Sequence, residues 1–189
     1  LTLANTVNIG RILPQGFFYM FAFTRIKTRT AGEIFYAVPS GNYGNLAAGL
    51  YAWKFCLPVN GFITDATEAL NCGETGTCRC VASSIPLAER GPADPAVPSS
   101  IERLEQIFTL SPAVMKSIIF PAWVSDTEAE TLISDSYRHY GIMFDTATAH
   151  AYAAAQNRNI CRRRGGESLV LVSKDHPAFE SKILTRICG

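Results

Sequence analysis

Residues Ala37 to Asn45 read A-V-P-S-G-N-Y-G-N, where an apolar run meets a proline and then a string of small and polar residues. Just before it, Glu33-Ile34-Phe35-Tyr36-Ala37-Val38 has the content of a short buried strand, and Pro39 stops it. Just after it, Tyr43 to Phe55 places Leu46, Ala47, Leu50, Tyr51 and Trp53 at the spacing of an amphipathic helix. Beyond Leu57-Pro58, Gly61-Phe62-Ile63-Thr64 reads as a second strand. Strand, helix and strand at this spacing form a βαβ unit. Such a unit implies an α/β fold in which helices cover a parallel sheet.

The junction itself has two readings. Gly41 and Gly44 let the backbone adopt positive φ and approach a ligand closely. Successive N–H groups then face one concavity, and the dipole of the following helix adds partial positive charge there. Ser40, Asn42 and Asn45 can add side-chain hydrogen bonds, so the stretch can cradle a phosphate without a lysine. The same residues also suit a tight βα turn with a good helix cap, where Ser and Asn are favoured. The nine residues alone leave both readings open.

Composition narrows the field. With 189 residues, 48% of them hydrophobic, the chain can bury a core as one ordinary domain or as part of a larger one. A formal net charge of +1 gives no nucleic-acid footprint or polybasic membrane surface. Arg162-Arg163-Arg164, followed by two glycines, reads as a solvated turn. The apolar stretch Gly16 to Phe23 is too short to span a bilayer, and no signal peptide is visible. The six cysteines do not suggest a secreted disulfide scaffold, and a cytoplasmic location is expected. Cys72, Cys78 and Cys80 cluster, but their spacing matches no standard zinc knuckle, so no metal is expected. The chain opens at Leu1 without an initiator Met, as a processed or partial polypeptide would.

Elsewhere, apolar residues from Asn5 to Thr24 recur at helical spacing, with Pro14 expected to kink that helix or begin a new one. From residue 65 to 100 the pattern dissolves into an irregular insertion rich in Gly, Pro, Thr and Cys. Helices are expected at Ile101 to Leu110, Asp126 to Tyr140 and Ala147 to Gln156, and again from Pro177 onward. Ser168-Leu169-Val170-Leu171-Val172-Ser173 is the clearest strand.

Several stretches together resemble the threonine synthase family. Leu1 to Gln15, L-T-L-A-N-T-V-N-I-G-R-I-L-P-Q, is similar to the family's A-N-S-I-N-x-x-R-x-x-x-Q. Ala37 to Leu50 is similar to its V-P-S-G-N-F-G-N-L-x-A-G-L. Leu57-Pro58-Val59, Glu74-Thr75-Gly76, Pro98 to Leu104 and His176-Pro177-Ala178 carry the likeness onward, with most detail before residue 65. The resemblance implies a three-layer tryptophan-synthase-β-like fold of pyridoxal-phosphate enzymes, with residues 1–189 as the C-terminal portion of one pyridoxal-phosphate-dependent domain. It further implies that the parent enzyme is a lyase of threonine biosynthesis. That enzyme turns the small-molecule substrate O-phospho-L-homoserine (phosphohomoserine) and water into L-threonine and phosphate.

Position by position, the resemblance makes Ser40, Gly41, Asn42, Tyr43, Gly44 and Asn45 cofactor-binding, and places Asn5, Asn8 and Arg11 in the substrate cleft. Three departures follow. The family's Schiff-base lysine lies in an F-K-D stretch with no counterpart here; Lys27, Lys54, Lys116, Lys174 and Lys182 sit in other contexts. The missing N-terminal portion, or another chain, is then the expected partner, and these residues alone are expected to be inactive. The threonine expected to bond the pyridine nitrogen is replaced by Lys174, with Ser173 as a neutral stand-in. The family's D-P-H-x-A appears as Asp145-Thr146-Ala147-Thr148-Ala149, without its histidine. His139 is expected at the surface, His150 in a structural role, and His176 orienting a loop or acting chemically. Two alternatives remain: a truncated or diverged homologue that only binds a phosphate ligand, and another member of the fold such as a dehydratase.

Overall fold

The computed structural model describes residues 8–72, 78–80, 100–108, 112–159 and 166–188. Four strands, β1 (Ile34–Ala37), β2 (Gly61–Asp65), β5 (Ile119–Ala122) and β6 (Ser168–Leu171), form one sheet in the order β5-β2-β1-β6. Every pairing is parallel, with Phe35 level with both Gly61 and Leu169. β1 is central, and it is buried along its whole length because helices cover both faces.

Strand alternation sorts those faces. Ile34, Tyr36, Val38 and Phe62 point to one side, where α1 (Ile9–Ile26) and α2 (Gly44–Lys54) pack through Ile12, Tyr19, Leu46 and Leu50. Phe35, Ala37 and Ile63 point to the other, against Ala151, Ala154 and Ala155 of α6 (Thr146–Asn157). Alanines on that helix let it lie close to the sheet. α5 (Asp126–Tyr140) and α7 (Ser181–Cys188) then cover α6 through Leu132, Ile133 and Leu184. The expected three-layer α/β arrangement is present.

Some local expectations change. α1 runs unbroken through Pro14. The carbonyl that loses its hydrogen bond belongs to Gly10, which is exposed and can turn to water, while Ile12, Gly16 and Tyr19 hold the helix on the core. The insertion near 65–100 is not irregular throughout: β3 (Leu70–Cys72) and β4 (Cys78–Cys80) pair antiparallel, with Cys72 opposite Cys78. Residues 73–77 and 81–99, which include Glu74-Thr75-Gly76, lie outside the described residues, as does Arg162-Arg163-Arg164. α3 (Ile101–Phe108) matches expectation. α4 (Pro112–Ile118) and β5 had no sequence forecast, since Pro121 argues against a strand. β5 tolerates it as an edge strand. A short 3-10 turn (Pro177–Glu180) precedes α7.

Close packing surrounds Gly49 of α2. The Tyr19 and Tyr36 rings lie 5.2 Å apart, and Phe62 stands 5.9 Å from Tyr19, edge-on. A Cβ on Gly49 would lie 2.5 Å from the Phe62 ring and 3.0 Å from that of Tyr19. Gly49→Val is therefore expected to cost about 1–3 kcal/mol through overpacking. Urea denaturation of the two chains measures the difference, and equal midpoints would contradict this packing.

Candidate functional site

All strands of a parallel sheet end at the same edge, and ligands of open α/β folds bind outside it. Here that edge gathers three segments. β1 continues through Val38 and Pro39 into the turn Ser40–Tyr43, β2 ends at Asp65, and β6 continues through Val172 into Ser173. Val38 N–H still donates to Ile63 O and Val172 N–H to Ala37 O, so the ladder holds up to the turn.

The turn is closed by Tyr43 N–H donating to Ser40 O at 2.8 Å. Gly41 lies at φ +47°, whereas Gly44, expected to share positive φ, is helical; among the described residues no atom beyond its chain neighbours stands within 4 Å of where a Gly41 Cβ would be. Tyr43 also has positive φ, +55°, which is costly for a bulky residue and is held by its surroundings. Its ring is fully buried, and its hydroxyl meets Thr67 Oγ1 at 2.7 Å. Tyr43 thus braces the turn from inside the core.

α2 begins at Gly44 with Tyr43 as its N-cap and no side-chain cap. α1, α5 and α6 are each capped by a side chain: Asn8, Ser125 and Asp145. The first-turn N–H groups of Gly44, Asn45 and Leu46 therefore have no intrahelical acceptor and carry the positive end of the helix dipole. Of the capped-turn alternative, the tight turn is present, while the N-cap Tyr43 makes no side-chain cap bond.

Ser40 is committed elsewhere. Its N–H donates to Asp65 Oδ1 at 2.9 Å and its hydroxyl to Asp65 Oδ2 at 2.5 Å. Asn42 is exposed, and its carbonyl accepts Ser100 N–H at 3.2 Å. The Ser100 hydroxyl is fully buried and, among the described residues, has no partner beside this loop, a polar atom left for a ligand or water to satisfy. Asn45 is half-buried, and its carbonyl accepts the Tyr19 hydroxyl at 2.7 Å, which ties α1 to the start of α2. A positive-φ glycine over open space, uncapped first-turn amides and a buried unsatisfied hydroxyl fit a phosphate group.

The remaining sequence candidates are dispersed over the fold. Asn8 caps α1 by accepting Gly10 N–H at 2.9 Å, and Arg11 is exposed in the first turn of α1. Asn5 lies outside the described residues. Ser173 is exposed at the sheet edge. Lys174 donates its N–H to Thr148 Oγ1 at 3.2 Å, and its ammonium lies 3.8 Å from Asp175. Thr148 in turn donates its hydroxyl to Asp145, the cap of α6. Lys54 ends α2 at the far end from the turn. Of the histidines, His139 is exposed, and His150 links the Thr146 carbonyl to Asp126. His176 accepts Ala178 N–H as a cap. Sequence reading missed Asp65 and Ser100. Asp65 had one available signal, a carboxylate at the end of a strand that neighbours the one entering the turn.

Comparison with known proteins finds chains similar to this one. A threonine synthase of Buchnera aphidicola subsp. Schizaphis graminum is 32% identical over 158 residues, covering 80% of this chain and 35% of its own length. The threonine synthase of Escherichia coli is 28% identical over the whole chain and 43% of its own length. A crystal structure of Escherichia coli threonine synthase superposes with a TM-score of 0.76 at 25% identity, covering 97% of this chain and 42% of that one. A pyridoxal-phosphate-bound threonine synthase of Brucella melitensis shares the fold, with a TM-score of 0.72 at 20% identity over 100% of this chain and 45% of its own. The chain spans about two-fifths of the length of these relatives. No protein-family model matches the sequence. Among the described residues, no helix is long and apolar enough to cross a membrane.

Burial raises the Tyr19 phenol well above its ordinary range, helped by neighbouring Tyr36, and burial pushes Tyr36 from 10.0 up to about 12. Both groups hold their protons more tightly folded than unfolded. Their stabilisation is complete below the unfolded value and is lost as pH rises above 10, that of Tyr36 through its value of about 12 and that of Tyr19 still higher. Stability measured by urea titration should fall across that window, and Tyr36→Phe should flatten the fall. A fall of the same steepness in Tyr36→Phe would count against this origin.

Proposed function

We propose, on the premise that this chain is threonine-synthase-like over its whole length, that the turn from Ser40 to Asn45 holds the phosphate of pyridoxal phosphate. The enzyme it serves converts O-phospho-L-homoserine and water to L-threonine and phosphate. The observation that carries this reading is the uncapped N-terminus of α2 behind the positive-φ Gly41. The N-cap Tyr43 makes no side-chain bond to those amides, and a helix start of this kind suits an anion. Pyridoxal phosphate, when bound, supplies a conjugated ring that accepts electrons from the substrate carbon.

This chain's part in that chemistry is to bind and orient. The amides of Gly44 and Asn45, with Gly41, Asn42 and Tyr43 shaping the turn, fix the phosphate end. Ser173, just past the end of the neighbouring strand at the same edge, offers a neutral hydroxyl for the pyridine nitrogen end. Asn8 and Arg11 at the start of α1, with Asn5 before them, serve the substrate cleft. The group that moves protons is a lysine outside these 189 residues, so this chain alone is inactive, and it acts as one C-terminal portion in a cytoplasmic enzyme. The apolar face of α1 supports a further covering portion: Phe17, Phe18 and Phe21 are 67%, 73% and 59% exposed. A long apolar face on one helix is unusual for a surface that stays in water.

A second reading has one observation behind it. Lys174 stands where the family carries a threonine, and its ammonium pairs with Asp175. A cation there disfavours a protonated pyridine ring. A diverged homologue that keeps the phosphate turn without the chemistry would look like this.

Two measurements test these readings. Gly41→Val together with Gly44→Val should abolish the preference for pyridoxal phosphate over pyridoxal, read as the ratio of dissociation constants; an unchanged ratio removes the turn from the cofactor site. The chain mixed with pyridoxal phosphate should develop no visible absorbance band that borohydride abolishes. Such a band would mean that one of its own lysines attaches the cofactor.

A further inference from the structure

The ladder between β1 and β2 stops in a telling place. Val38 N–H donates to Ile63 O, and the next rung would take Ser40 N–H to the main chain two residues further along β2. Pro39, between them, has no N–H. At Ser40 the main chain leaves the sheet, and the missing rung is made by a side chain instead: Asp65 Oδ1 accepts Ser40 N–H at 2.9 Å. The second oxygen, Oδ2, accepts the Ser40 hydroxyl at 2.5 Å. Two bonds from one carboxylate to one residue fix its orientation as well as its position.

That orientation propagates. With Ser40 held, its carbonyl accepts Tyr43 N–H at 2.8 Å, which closes the turn and sets Gly41 and Asn42 at its tip. The hydroxyl proton of Ser40 is spent on Asp65, and a phosphate oxygen only accepts. Ser40 therefore has no proton left to offer a phosphate, and the donors must come from the backbone and the asparagines.

We propose that Asp65 is the positioning residue of the phosphate turn: its carboxylate clamps Ser40 by both N–H and hydroxyl, and Ser40 serves as the post that sets the turn rather than as a phosphate ligand. The inference rests on the reading of this turn as a phosphate site. It adds a residue from the second strand, and it reassigns Ser40. A carboxylate beside an anion site would ordinarily repel the ligand, but both oxygens of Asp65 are occupied by donors. Its effect on binding through shape then has the opposite sign from its effect through charge, and substitution can separate the two.

The test uses the isotope-labelled full chain titrated with pyridoxal phosphate and, separately, inorganic phosphate, following the amide resonances of Gly41 and Gly44. Asp65→Ala should weaken binding of both by about tenfold, the loss expected for a charge-assisted hydrogen bond. Asp65→Asn keeps an acceptor for the N–H and removes the charge, so it should bind as well as the original chain or better. Ser40→Ala should stay within about threefold, because it removes one arm of the clamp and no phosphate donor. If Asp65 acted only through its charge, Ala and Asn would both bind more tightly, and the proposal would be wrong. Undiminished binding in Asp65→Ala, or loss in Ser40→Ala exceeding that in Asp65→Ala, overturns it as well.

A ligand-free measurement separates this inference from the phosphate reading. Hydrogen exchange at Ser40 N–H should be slow in the original chain and in Asp65→Asn, and fast in Asp65→Ala. If Gly41 and Gly44 never respond to either ligand, the phosphate reading fails, and exchange alone then decides whether the clamp exists. If exchange at Ser40 is the same in all three chains, the clamp is refuted whatever the turn binds.

Discussion

β1 is paired in parallel on both sides, and from that constraint most of the molecule follows. Parallel neighbours require every strand to leave the sheet at the same edge. The chain must then return along a helix before the next strand begins. β1 can exchange main-chain bonds with both neighbours only until it turns away, and it turns at Pro39 and Ser40. Past that point any remaining donor needs a side chain, and Asp65 supplies one. The same edge receives Thr67, which holds the Tyr43 hydroxyl, and Val172, whose N–H still reaches Ala37. The turn is thus built by three strands, although its residues come from one.

The helical side of the core keeps the turn at a fixed height above the sheet. Tyr36 on β1 donates its hydroxyl to the Tyr19 carbonyl, and Tyr19 donates its own to the Asn45 carbonyl. These bonds run from the sheet to α1 and back to the first turn of α2. Each hydroxyl is satisfied inside an apolar cluster, which rules out most sideways movement, because an unpaired phenol there is costly. Gly49 gives the rings room to meet. Rigidity of this kind suits a site that recognises an anion by backbone amides, since such amides cannot repack to follow a misplaced ligand.

Much of this was legible in the residues. The run from Glu33 to Thr64 carries its own punctuation: an apolar strand, Pro39, two glycines, a helical stripe, then Leu57-Pro58 and another strand. Each local preference agrees with the fold, and the structure follows it to within a few residues. β5 was hidden because Ile119-Phe120-Pro121-Ala122 contains the one residue that argues against a strand, and only its edge position excuses it. Pro14 misled in the opposite way, since the cost of a proline depends on whether the freed carbonyl at Gly10 can reach water, and spacing does not encode that. The turn was legible as a candidate phosphate cradle. The engagement of Ser40 with Asp65 was not, because it joins residues 25 apart through sheet register. Ser100 was hidden for the same reason: its neighbour Asn42 is distant in sequence.

The choice of Tyr43 as N-cap shows what this junction favours. A Ser, Thr or Asn there would satisfy one first-turn amide and stabilise α2 by about 1 kcal/mol. Tyr43 gives up that bond and also adopts φ +55°, which adds strain. In return its ring fills the core and its hydroxyl reaches Thr67. An aromatic N-cap with no cap bond is thus a sacrifice of local helix stability, and core burial of the ring offsets it. The result is a helix start without a side-chain cap at Tyr43, held in position by the core rather than by a ligand. A capped start would have to exchange its own side chain for the anion at each binding event, losing part of the affinity in that exchange. The arrangement at Ser40 obeys the same logic: its hydroxyl, which could have competed for the amides, is held aside by Asp65.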